Sequence, residues 1–145
     1  MPASKAERVL GALKAVLETV PDAAAERNSV LPEKIPDGGL IILRDGDPGE
    51  PEQSLGGFGG TYYQHAVEVE VHVEDGDAVA RDAAFDQLLQ QIGAALEADP
   101  TRGGLAFGLT YGRPEPAIEA VAGAPAIKTA TLTVTVDYES AAPLS

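Results

Sequence analysis

The chain has 145 residues, a net charge of −13 and no cysteine. That length fits one domain, 1–145, able to bury its own core; the absence of cysteine excludes disulfides and thiolate metal sites. No apolar run approaches the roughly 20 residues of a membrane helix, so a soluble protein without a signal segment or membrane contact is expected.

The acid is unevenly placed. Residues 1–35 hold five basic and five acidic groups, residues 36–100 hold two and fourteen, and residues 101–145 hold three and four. This opposes a phosphate-gripping groove, because nucleic-acid affinity comes largely from clustered lysine and arginine.

Ser4 followed by Glu7 reads as a capping box, and Val9, Leu10, Leu13, Val16, Leu17 and Val20 recur at helical spacing, which predicts a helix over 4–20. Residues 21–39, with three prolines and paired glycines, read as an arm without regular structure. Leu40 to Leu43 is a short apolar run, the pattern of a strand buried on both faces. From Asp45 to Gly60 six glycines and two prolines predict a long, acidic, mobile loop. Tyr62 to Glu74 follows with strict alternation: valine at 67, 69, 71 and 73, and Glu68, Glu70 and His72 between them. Thirteen residues of strand span about 43 Å, more than a small core can cover.

A second helix is expected after Asp75 or Asp77, with Phe85, Leu88, Leu89, Ile92, Ala95 and Leu96 on its dry face and Arg81, Asp82, Asp86, Gln87, Gln90 and Gln91 on its wet one. Pro100 disfavours helical backbone at Asp99 and ends it. A short strand over 105–111 and a loop at 112–116 lead to a last strand over 126–138. Its even positions from Ala130 to Tyr138 face inward, and Thr129, Thr131, Thr133 and Thr135 form a ladder on the other face. The tail 140–145 is expected to fray. The elements predict an α+β, two-layer fold: a four-stranded, mainly antiparallel sheet in the order 1-2-4-3, two helices on one face, element order αββαββ.

No residue pattern points to catalysis. His65 and His72 are seven apart on a strand, so they face opposite ways and cannot share a metal. Asp45, Asp47 and Glu50 do not follow the calcium-loop spacing, and Pro48 interrupts them. The run from Gly56 to Gly60 opens a strand with no lysine after it, unlike a phosphate loop, and Ser54 lacks the nucleophile elbow. Glu68 and Glu70 share a strand face about 6 to 7 Å apart, a spacing a carboxylate pair could use; alternating charge on a solvated face accounts for them as well. No cofactor, no metal and no enzymatic activity are expected.

Several phrases nonetheless carry a resemblance: Val9 to Leu13 on the first helix, Asn28 and Ser29, the run Gly38 to Gly49, the long strand Tyr62 to Val73, the run Ala94 to Leu105, and the closing Ala130 to Tyr138. In these the chain resembles the tail terminator proteins of long-tailed bacteriophages and phage-like gene transfer particles. The resemblance implies a small α+β protein of the virion tail, made in the bacterial host cytoplasm. It would assemble as a hexameric ring on the last ring of tail tube protein, stop tube growth and offer a surface to the head-tail connector protein, while DNA passes through without specific binding. A small non-catalytic ligand- or peptide-binding domain is the alternative. On strand geometry, Tyr62, Glu68, Glu70, Thr131 and Thr133 are the candidates for subunit contacts or a channel wall. In the loop, Asp45, Asp47, Leu55 and Phe58 are the candidates for docking on the tube, the last two as its large apolar side chains.

Overall fold

The computed structural model describes residues 2–53, 60–120 and 122–145. Two helices, α1 (Lys5–Leu17) and α2 (Ala78–Ala98), pack on a sheet of seven strands: β1 (Ala24–Arg27), β2 (Leu40–Asp47), β3 (Glu52–Gln53), β4 (Thr61–Glu74), β5 (Gly108–Tyr111), β6 (Ala117–Glu119) and β7 (Ile127–Ser140). The fold is α+β and the sheet is mixed, in the order β1-β2-β4-β7-β5, with β3 also on β4 and β6 also on β7. The expected four-stranded sheet and αββαββ element order do not describe it. Three short strands, β1, β3 and β6, account for the difference.

Strands β4 and β7 pair antiparallel over fourteen positions, from Thr61 opposite Ser140 to Glu74 opposite Ile127. β2 and β3 share the free edge of β4, and β5 and β6 share that of β7. Two short strands in tandem thus satisfy each edge of a ribbon too long for one. β1 lies parallel to β2, Ala24 opposite Leu40 and Arg27 opposite Leu43. The sequence Ala-Ala-Glu-Arg has little strand propensity, which is why the arm gave no sign of it; its ladder and the ion pairs of Arg27 hold it in place.

The inner face carries Val67, Val69, Val71 and Val73 of β4 with Ala130, Leu132, Val134 and Val136 of β7, all buried against Val9, Leu10, Leu13 and Leu17 of α1 and Phe85, Leu88, Ile92 and Leu96 of α2. Leu89 is only partly buried. Ile41 and Leu43 join this core, while Leu40 and Ile42 point to the outer face, where Ile35 covers them. The apolar run of β2 is therefore dry on both sides, and part of the supposedly irregular arm provides the cover.

Several local details depart from expectation. Ser4 caps α1 by accepting from the Glu7 N–H (3.2 Å), but the Glu7 carboxylate turns away to accept two bonds from Arg27. α1 ends at Leu17, short of 20. Arg81, expected on the wet side of α2, is buried, and its Nη1 donates to Asp75 O. Asp77 caps α2 without a side-chain bond. β2 runs on to Asp47 through a bulge between Arg44 and Asp47; Gly46 sits there at φ 71°, where a Cβ would lie 2.0 Å from Ala66 O, so only glycine fits. The tail makes two contacts with the body: Tyr63 Oη donates to Pro143 O (3.1 Å), and Lys5 N donates to Ser145 O (3.2 Å).

Burial separates neighbouring leucines on α2. Leu88→Ala is expected to lower unfolding free energy by about 2 to 5 kcal/mol, and Leu89→Ala by a clearly smaller amount, because its site is part-exposed and can refill with water. Urea unfolding of both variants checks this; equal losses would place Leu89 in the core.

Candidate interaction face

Each residue opposite another in an antiparallel pair shares its side of the sheet. The outer face therefore reads, across the strands, Arg44, Glu68 and Thr133 in one row, Ile42, Glu70 and Thr131 in the next, and Leu40, His72 and Thr129 in the third. Glu68, Thr131 and Thr133 are exposed, whereas Glu70 is half-buried and His72 buried. Four of the expected contact residues, Glu68, Glu70, Thr131 and Thr133, are thus brought together. Tyr62 lies on the same face three rows beyond Glu68, near the start of β4.

A chain of hydrogen bonds holds this face. Arg44 Nε donates to Glu70 Oε2 (2.8 Å), and His72 Nε2 lies 3.1 Å from Glu70 Oε1. A carboxylate only accepts, so Nε2 carries a proton, and Nδ1 lies 2.8 Å from Thr129 Oγ1. Burial alone would raise the Glu70 carboxyl; the bonds from Arg44 and His72 outweigh it, and its pKa lies below the ordinary 4.5. Glu70 also holds the Arg44 guanidinium more firmly in its charged form.

The inner face has a second polar chain. His65 Nε2 donates to Asp45 O (2.6 Å), made reachable by the bulge, and Tyr138 Oη donates to Nδ1 (2.8 Å). Burial first, then the nearby Tyr63, pushes the Tyr138 phenol up to about 12. Both nitrogens of both histidines are therefore engaged within the fold, and the two rings lie on opposite faces. Among the described residues no group of three or more histidine, aspartate or glutamate side chains is placed to hold a metal ion.

Asp45 and Asp47 sit on β2, not on a free loop. Asp45 accepts from Arg27 Nε (2.9 Å) and Asn28 Nδ2 (3.0 Å); the Arg27 bond is the main reason its carboxyl lies below the usual range. Asp47 Oδ1 accepts from the Gly49 N–H (2.9 Å). Leu55 and Phe58 lie outside the described residues. Arg44 and Phe107 were not singled out from the sequence, and His72 was weighed there only as a metal ligand, because their roles depend on cross-strand register: Arg44 and Glu70 are 26 positions apart.

Two concave features lie off the outer face. A cleft of about 270 Å³ runs between α2 and β5, lined by Leu89, Gln90, Gly93, Tyr111, Pro114 and Leu132. Tyr111 Oη donates to Glu97 Oε1 (2.8 Å) beside it. A second, of about 260 Å³, lies under the tail between Tyr63, His65, Pro48 and Pro143.

No family model matches the chain, and no curated protein does. Among solved structures, a chain of the virion of a native gene transfer agent particle matches at 14% identity and TM-score 0.33, over 86% of this chain and 84% of that one. A likeness at that TM-score decides nothing about fold or function.

Glu70 couples the outer face to pH. Its pKa is lower folded than unfolded, so its contribution is full above the unfolded value and is lost as pH falls through the folded one. The stability difference between the parent and Glu70→Gln is expected to be constant near neutral pH and to shrink through the acid range. Urea midpoints measured across pH check this; a difference unchanged in acid would mean Glu70 is not held as its bonds indicate.

Proposed function

We propose that this protein is a non-catalytic virion structural protein that works through its surfaces, forming a closed head-to-tail ring that caps a tail tube and joins it to the head-side connector. The observation that carries this reading is the open outer face of the β4–β7 ribbon. Helices cover the middle of the inner face, while Glu68, Thr131 and Thr133 at the middle of the outer face remain exposed. A sheet face that is polar and internally braced suits contact with another subunit or the wall of a channel. The resemblance to tail terminators in the first helix, the Gly38–Gly49 run and the two long strands supports the same reading.

The cleft beside Leu89 and Tyr111 favours a second reading, a small ligand- or peptide-binding domain acting as a monomer, since apolar clefts with a few polar groups are the usual form of such sites. Solution mass separates the two. Light scattering over a concentration series, with and without tail tubes, is expected to show a species near six protomers of 14.9 kDa; a monomer under all these conditions would remove the ring.

The acidic surface makes a further prediction about DNA. Like charge repels phosphates, so duplex DNA should pass such a ring with little adhesion. Electrophoretic mobility shifts are expected to show no retained complex; binding that weakens steeply with salt would reveal phosphate contacts by basic groups and overturn this.

A further inference from the structure

Near the start of β4 the outer face changes character. Tyr62 stacks on Phe107, ring centroids 6.0 Å apart and planes 26° apart. Phe107 is 64% exposed. Its backbone N–H donates to Asp137 O (2.7 Å), so the approach to β5 sets the ring there without burying it. Glu52 on β3 and Glu139 on β7 both lie opposite Tyr62, and Asp137 is diagonal to it. These acids are within electrostatic reach: burial first, then the fields of Asp137 and Glu52, hold the Tyr62 phenol above its usual pKa. None of the three carboxylates takes part in a salt bridge among the described residues.

An exposed aromatic face carries negative quadrupole charge, and carboxylates at its rim add to it. We propose that the Tyr62–Phe107 pair is a docking point for an arginine-bearing segment of another protein, the guanidinium lying on the rings and bonding to the rim carboxylates. Arginine fits better than lysine because its planar group stacks and forks at once. A second copy of this chain is a poor occupant. Of its ten basic side chains, Lys14, Arg27, Arg44 and Lys128 are already in ion pairs and Arg81 and Arg102 are buried, which leaves Lys5, Arg8, Lys34 and Arg113, no two of them adjacent in sequence. Two copies at −13 each also repel. Nucleic acid is excluded by the same sign of charge. The inference assigns Tyr62 to a different chain and does not depend on ring formation, so either can fail alone.

The test uses the full chain and a fluorescent peptide, Arg-Arg-Leu-Arg-Arg, titrated by anisotropy at about 0.15 M salt, where long-range attraction is screened. Saturable binding is expected. Phe107→Ser should weaken it about tenfold, the scale of a lost cation–π contact with partial desolvation, and Phe107→Tyr should retain it. Asp137→Asn with Glu139→Gln should weaken it comparably, while Glu33→Gln with Asp37→Asn, the same charge change at exposed remote sites, should alter it less than about twofold. Melting curves confirm that each variant is folded. Absence of saturable binding, parent-like binding by Phe107→Ser, or equal losses from the two charge pairs would each overturn the proposal.

Discussion

The pairing of β4 with β7 over fourteen positions is the constraint on which the rest depends. Side chains alternate with period two, so a slip of one residue would turn every valine of β4 outward and bring Glu68 and Glu70 against the helices. With the register set, the inner face demands cover, and α1 and α2 supply it. The ribbon's edges demand partners, and four short strands supply them. Leu40 and Ile42 are turned to the outer face at one corner, and the segment holding Ile35 folds across to close it.

What was legible in the sequence follows from this. Strong periodicity marked both helices and both long strands, because Val67 to Val73 and Ala130 to Tyr138 bury every second residue. Of the short strands, β2 and β5 were legible in part, at 40–43 and 105–111, whereas β1, β3 and β6 were not. Ala24–Arg27 and Ala117–Glu119 carry no alternation of their own and exist because an edge is there to be paired, that of β2 for the first and that of the ribbon for the second. The same limit applied to the outer face. Its members were readable as exposed positions on two strands, but the clamp of Arg44 and His72 on Glu70 requires knowing that Ile42 lies opposite Glu70 and Thr129 opposite His72. Arg81 was misplaced because a helical wheel assigns charge to water, whereas the turn at Asp75 offers a carbonyl for its guanidinium.

Charge is distributed in two layers. Six of the ten cations are drawn inward or into pairs: Arg27 bridges Glu7 and Asp45, tying α1 to the β1–β2 edge, and Arg44 braces Glu70. Most of the acids have no such partner and remain at the surface. Ion pairs this exposed contribute little stability each; their larger effect is geometric, since they determine which carboxylates are neutralised and which stay open. Glu70 is neutralised and Glu68, two residues away on the same face, is not.

That difference bears on how the outer face can meet another surface. Glu68 stands near the middle of β4, so a two-fold axis lying in the contact plane beside it would bring two Glu68 carboxylates together, while the Arg44 opposite each is already bonded to Glu70. Where that axis runs across the strands, it would also set the end bearing Glu52, Asp137 and Glu139 against the other copy's corner covered by Ile35. Desolvating carboxylates against apolar atoms is costly, and like charges at the axis add to the cost. Face-to-face pairing of identical copies is therefore disfavoured by the arrangement of the side chains. A contact that joins this face to a different surface, as in a head-to-tail assembly, carries neither cost.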